Sequence, residues 1–176
     1  MTSRKVFLIG PMGAGKTAVG RELARLLGLE FLDADHEIER RTGADIALIF
    51  EKEGEAGFRR REREIIEELT QRDKVVLATG GGAVLDPANR EVLKTRGFVI
   101  YLKASVDAQA ARTGQSRNRP LLETQDREAR LKALFEIRAP LYESLAEFTV
   151  ETDSGQVKQI SQRIITELER RGVASG

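Results

Sequence analysis

Four side chains in the first fifth of the chain are of types that handle phosphate. Lys16 and Thr17 close the segment Gly10-Pro11-Met12-Gly13-Ala14-Gly15-Lys16-Thr17, which satisfies the pattern G-x-x-x-x-G-K-[ST] in full. In that pattern the lysine reaches the terminal phosphates of a nucleoside triphosphate and the hydroxyl ligates Mg²⁺. Glycines such as Gly13 and Gly15 let the backbone approach the phosphate oxygens closely. Asp33 and Asp35 follow, flanking one residue at the end of a short apolar run. On an extended segment, positions two apart point the same way, so both carboxylates would face the nucleotide. One would help hold Mg²⁺ through water; the other would orient or deprotonate a substrate hydroxyl. The plain alternative is a helix capped by Asp35 with Asp33 merely exposed. Beside a phosphate-binding loop, the functional reading is preferred.

Further along, Thr79-Gly80-Gly81-Gly82 lacks a side chain at three successive positions, which lets a ligand lie against backbone N–H groups or simply makes a flexible turn. Phosphoryl transfer also needs positive charge around the moving group. Arg112, Arg117 and Arg119 lie in a polar stretch with Pro120, and Arg138 stands close to Pro140. The run Arg59-Arg60-Arg61-Glu62-Arg63-Glu64 resembles a nucleic-acid patch, but its interleaved glutamates predict a solvated helix face with Arg60–Glu64 and Arg63–Glu67 pairs. Arg59 is the exception, because it follows Phe58 at the helix start and Glu62, one turn on, could hold it in place.

Strands and helices alternate around these groups. Lys5–Ile9, Glu30–Asp33, Lys74–Thr79, Phe98–Leu102 and Glu147–Val150 read as strands. Amphipathic helices are predicted from Ala18 to Leu27, His36 to Arg41, Asp45 to Phe50, Phe58 to Leu69, from Asp86, from Ser105, from Arg127 to Arg138, and from Val157 to Arg171. A mobile lid is expected over Arg112 to Gln125, and a break near Pro140. This order predicts a three-layer α/β fold, a five-stranded parallel sheet with helices on both faces. Its strand ends would bring the three motifs to one rim.

Composition bounds the rest. A chain of 176 residues, 40% hydrophobic and 32% charged, fits one soluble domain. With 29 basic and 28 acidic residues, no long-range field favours nucleic acid or membrane. There is no cysteine, hence no disulfide, thiolate metal site or thiol nucleophile. The single histidine, His36, has no second ligand nearby for a metal role. The first apolar run is too short to span a membrane and ends in the phosphate loop, so no signal peptide is expected and the cytoplasm is the expected compartment.

Taken in order, the motifs resemble those of the shikimate kinases, of the nucleoside-monophosphate-kinase-like P-loop fold. The stretches that carry the likeness are the phosphate loop, Asp33-Ala34-Asp35-His36-Glu37-Ile38-Glu39, Gly54 to Glu62, Thr79 to Gly82, Arg119-Pro120-Leu121-Leu122 and Arg138-Ala139-Pro140-Leu141-Tyr142. The resemblance runs from Val6 to about the last helix and implies a single kinase domain over residues 1–176 with a lid at about 112–125. It implies transfer of the ATP γ-phosphoryl group to the 3-hydroxyl of shikimate, in aromatic amino-acid biosynthesis. By position, Lys16, Asp35 and Arg119 would be catalytic. Gly13 to Ala18, Arg112, Arg119 and Gln156 would hold ATP, with Arg112 along adenine and Gln156 at its edge. Phe58, Asp35 and Gly80 to Gly82 would meet shikimate, its carboxylate clamped by Arg59 and Arg138. Thr17 and Asp33 would serve Mg²⁺, since Ala18 stands where many relatives carry a second hydroxyl. The expected partner is a small molecule, with neither nucleic acid nor membrane, and the expected state is a monomer.

Three other readings compete. A gluconate kinase would share the phosphate loop, but Asp35, Arg59 and Arg138 fit shikimate better. A signalling GTPase needs an Asn-Lys-x-Asp segment, which does not occur. A silent nucleotide-binding module would not need Lys16, Thr17, Asp33, Asp35 and Arg119 together.

Overall fold

Short apolar runs become strands where successive side chains can be buried on alternate faces. In the computed structural model, which describes residues 4–114 and 121–173, these are β1 (Lys5–Ile9), β2 (Glu30–Asp33), β3 (Val75–Ala78), β4 (Phe98–Lys103) and β5 (Phe148–Glu151). They form one sheet in the order β2-β3-β1-β4-β5 with every pairing parallel. Helices α1 (Lys16–Leu27), α2 (Ala34–Thr42), α3 (Ile46–Leu69), α4 (Pro87–Arg96), α5 (Val106–Gly114), α6 (Leu121–Leu145) and α7 (Val157–Arg170) cover it. Phe7, Leu77, Val99 and Tyr101 pack against Ile66, Leu69, Leu93 and Tyr142 on one face. Val6, Leu8, Val76 and Ile100 meet Leu23, Ile164 and Leu168 on the other. The three-layer arrangement expected from the sequence is the one observed. Because the strands are parallel, the loops leaving β1, β2 and β3 emerge at one edge.

Three local expectations are corrected. Asp33 and Asp35 do not share an extended segment: α2 begins at Ala34, because the Asp33 carboxylate caps it by accepting the His36 N–H at 3.1 Å. The region from Ile46 to Leu69 is not broken at both glycines. It bends at Gly54, whose φ of 73° is open to glycine, while Gly57 continues the helix against the Glu53 side chain. Arg61 then reaches back across the bend to Glu53 at 2.7 Å. Finally, α6 starts at Leu121 and runs through Pro140 to Leu145, with no break there. Burial of Leu131, Tyr142 and Leu145 outweighs the hydrogen bond that a mid-helix proline removes. The lid expected at 112–125 thus overlaps both α5 and α6, and the rest of it lies outside the described residues.

The charged run on α3 does lie largely on a solvated face, but its partners differ from the i,i+4 pairs expected. Arg63 pairs with Asp86 at 2.6 Å, and Glu67 pairs with Arg96 at 2.8 Å. Both links join α3 to the α4 region. They are exposed, and each contributes little alone.

Gly10 ends β1 where the phosphate loop departs. Its φ is 148°, and a Cβ there would overlap the main-chain carbonyl oxygen of Leu102 in β4. Gly10→Ala should therefore lower the unfolding free energy by about 1–3 kcal/mol, the usual scale of overpacking against atoms that cannot rotate away. Urea denaturation of the two proteins measures this directly; equal midpoints would show that β1 and β4 do not need the close approach.

Candidate active site

The phosphate loop closes onto α1, which begins at Lys16. The Lys16 ammonium donates to the carbonyl oxygens of Gly10 at 2.6 Å and Pro11 at 2.8 Å. Burial draws its pKa down to about 8, although Asp35 and Asp33 pull the other way. The Thr17 hydroxyl donates to the second oxygen of Asp33 at 3.1 Å. Asp33 therefore joins the starts of α1 and α2. A cavity of about 420 Å³ opens over Lys16, Thr17, Asp33, Asp35 and Gly80; Gly13, Gly15 and Ala18 also line it, and the buried side chain of Ala14 anchors the loop in the core below.

Asp35 sits in the first turn of α2 with one carboxylate oxygen, Oδ1, buried and without a hydrogen-bond partner among the described residues. Burial, reinforced by the charge of Asp33, pushes its pKa up to about 6. Lys16 and Arg59 oppose the rise but do not cancel it. A carboxyl so placed changes protonation near neutrality, which suits a group that accepts a hydroxyl proton.

The three glycines after β3 form a wall that carries no side chains. A Cβ on Gly80 would lie 2.8 Å from Asp35 Oδ1, and one on Gly81 would lie 3.4 Å from Arg138 Nη1. On Gly82 it would collide with the Arg59 guanidinium. Three ionic side chains from α2, α3 and α6 thus converge on bare backbone. The wall's carbonyls are engaged from within the protein. Ala83 N–H donates to Gly80 O and Leu85 N–H to Gly82 O, each at 3.1 Å. The Tyr142 hydroxyl donates to Gly81 O at 2.5 Å.

Arg59 donates to Glu62 at 2.9 Å and lies 5.3 Å from the ring centre of buried Phe58. Glu62 is 1% exposed, and burial raises its pKa against the pull of Arg59. Arg59 Nε, Arg138 Nε, Glu62 Oε2 and Asp35 Oδ1 are all buried without hydrogen-bond partners among the described residues. That is an unusual density of unsatisfied polar atoms for one site.

Two expected nucleotide contacts fall on the far side of the phosphate loop. Arg112 donates to Gly13 O at 2.9 Å, to Thr152 Oγ1 at 3.2 Å and to the Thr152 carbonyl. It therefore ties the phosphate loop to the end of β5. Gln156 is the N-cap residue of α7, and its N–H donates to the Gln159 side chain at 3.0 Å. Arg119 lies outside the described residues. One contributor has no role assigned from the sequence: Tyr142, which ends the stretch Arg138-Ala139-Pro140-Leu141-Tyr142 one helical turn after Arg138.

Among known proteins, residues 12–169 match the family described as Shikimate kinase. A shikimate kinase of Acinetobacter baylyi is 56% identical over 164 residues, which cover 93% of this chain and 91% of that one. The solved shikimate kinase from Acinetobacter baumannii in complex with shikimate superposes with a TM-score of 0.90 at 53% identity, covering 97% of this chain and 95% of that one. A gluconokinase from Sinorhizobium meliloti superposes at 0.60 with 16% identity over 97% of this chain and 94% of that one, a likeness of fold alone.

The Asp35 shift has a direct consequence for stability. Its folded pKa of about 6 stands above its ordinary value of 3.8, so the folded chain holds the proton more tightly than the unfolded one. The penalty is complete above pH 6 and disappears as pH falls towards 4. Asp35→Asn, which never ionises, should be more stable than the parent at pH 8 by up to about 3 kcal/mol. The two proteins should converge near pH 4. Urea midpoints at both pH values test this, and a constant difference would show that Asp35 is not held against its charge.

Proposed function

The chain belongs to the shikimate kinase family, an ATP-dependent phosphotransferase family with an alcohol acceptor, and we propose that the residues gathered at this rim move the γ-phosphoryl group of ATP to the 3-hydroxyl of shikimate. The observation that carries the residue assignments is the meeting of Asp35, Arg59 and Arg138 on the glycine wall, beside Lys16. The pocket offers a compact polyhydroxy acid one carboxylate to accept from its hydroxyls and two guanidinium groups for its carboxylate. Phe58 backs Arg59, and Gly80 to Gly82 add main-chain donors.

In this reading ATP lies on Gly13 to Ala18, with Lys16 on its terminal phosphates and Arg112 and Gln156 on the adenine side. Asp35 takes the proton of the 3-hydroxyl as the oxygen forms its bond to the γ-phosphorus. The bond to the bridging oxygen breaks, and ADP departs with that electron pair. Arg119 supplies charge to the transferring group. Thr17 and Asp33 present hard oxygen donors at the phosphate end, and no cluster of three or more acidic, histidine or cysteine side chains competes among the described residues. That donor set fits Mg²⁺, which Thr17 and Asp33 would help hold and which would supply charge neutralisation at the phosphates. The whole chain acts as one kinase domain, monomeric and cytoplasmic. No described helix is long and apolar enough to cross a membrane.

ADP release from the purified chain, followed with shikimate, with gluconate and without acceptor, tests the reading. Shikimate alone should stimulate it; equal rates with gluconate would overturn the acceptor assignment. Lys16→Met should abolish transfer in a protein that still folds. Removing either Arg59 or Arg138 should weaken productive shikimate binding roughly ten- to a hundredfold, with lysine a poor replacement. If both hold one carboxylate, the double variant should lose less than the product of the single losses. Equal penalties on shikimate and on its neutral carboxamide would show that the arginine in question acts elsewhere.

A further inference from the structure

Given the acceptor site just proposed, we infer that Tyr142 is the positioning residue that sets its geometry, its one hydroxyl fixing the glycine wall beside the clamp arginine Arg138. The phenol is fully buried, and burial raises its pKa further above the ordinary tyrosine value, so it stays a donor throughout the working pH range. A hydroxyl has one hydrogen to give and two lone pairs to accept with. The hydrogen goes to Gly81 O. Beside that hydroxyl stands the Arg138 guanidinium, whose charge acts on the phenol against the effect of burial. The position Gly81 would give a Cβ lies 3.4 Å from Arg138 Nη1, so hydroxyl, wall and guanidinium meet at one point.

The peptide geometry converts this contact into an orientation. The peptide between Gly81 and Gly82 is trans, so its carbonyl and its N–H point to opposite sides. Fixing Gly81 O on Tyr142 therefore turns the Gly82 N–H away from α6. Glycine has no side chain to choose this orientation for itself, and three in succession leave it to an outside group. The ring is also held: Tyr142 packs on Tyr101 with centroids 5.0 Å apart. The Tyr101 hydroxyl is buried but has no partner among the described residues, so the same stack contains a control.

Tyr142→Phe keeps the ring and removes the hydroxyl. The KM for shikimate should rise about tenfold while the KM for ATP moves by less than about twofold. Tyr101→Phe should leave both unchanged. An unaltered shikimate KM in Tyr142→Phe, a matching rise for ATP, or the same effect from Tyr101→Phe would each overturn the inference. A wild-type chain with no shikimate-dependent ADP release would instead overturn the function on which it rests. A second measurement does not depend on the Tyr142 variant folding. The chain has only two tyrosines, so 3-fluorotyrosine incorporated into Tyr101→Phe reports on position 142 alone. Shikimate without nucleotide should shift that fluorine resonance, and a resonance unmoved at saturation would overturn the inference.

Discussion

A carboxylate held away from water without a full set of partners is the constraint around which this structure is arranged. Asp35 is uncomfortable where it stands, between burial and the charge of Asp33, and nothing in the fold relieves it completely. The neighbouring Lys16 is uncomfortable in the opposite sense, its charge disfavoured by the same burial. Each makes the other tolerable without neutralising it. Glu62 is a second such carboxyl, its pKa raised by burial against the pull of Arg59. Such a site has to be imposed by its surroundings, because an isolated segment would relax by exposing the charges. The rigid edge of a parallel sheet does the imposing, and α1, α2 and the glycine wall leave it from three adjacent strands.

What could be read from the sequence was what is local. The phosphate loop, the Asp33–Asp35 pair and the five strands each declare themselves within a few residues. Even the Arg59–Glu62 contact follows from helical spacing. What stayed hidden depends on packing between distant segments. The helical start at Ala34 turns on which aspartate caps, and Asp33 rather than Asp35 does so. Pro140 signals a break by every local rule, yet the buried face of α6 carries the helix through it. The contact of Arg112 with Gly13 joins residues 99 positions apart and leaves no trace in either neighbourhood. Tyr142 illustrates the same limit: an aromatic near a proline reads as core, and it is core, but its hydroxyl also reaches Gly81.

The segment bearing Asp35 is fastened to the body differently from the phosphate loop. α2 and the first half of α3 are joined to the rest across the bend at Gly54, with Arg61–Glu53 and Arg41–Glu68 as exposed ion pairs. Links of that kind are individually weak and are screened by salt. The phosphate loop, by contrast, is held by main-chain contacts and by the buried strand beneath it. The two halves of the site therefore differ in how they are fastened: the nucleotide side by main-chain contacts, the acceptor side by Ala34, Ile38 and Ile49 in the core together with exposed ion pairs.

The glycine wall bears on how this pocket could change under selection by an inhibitor. Resistance ordinarily arises when a side chain lining a site is exchanged for one that obstructs the drug but spares the substrate. Here a substitution at residue 80 or 82 would strike Asp35 or Arg59 before it reached any ligand, disabling the enzyme along with the inhibitor's foothold. A compound that takes its hydrogen bonds from the peptide groups of this wall would engage the part of the pocket with the fewest viable escape routes.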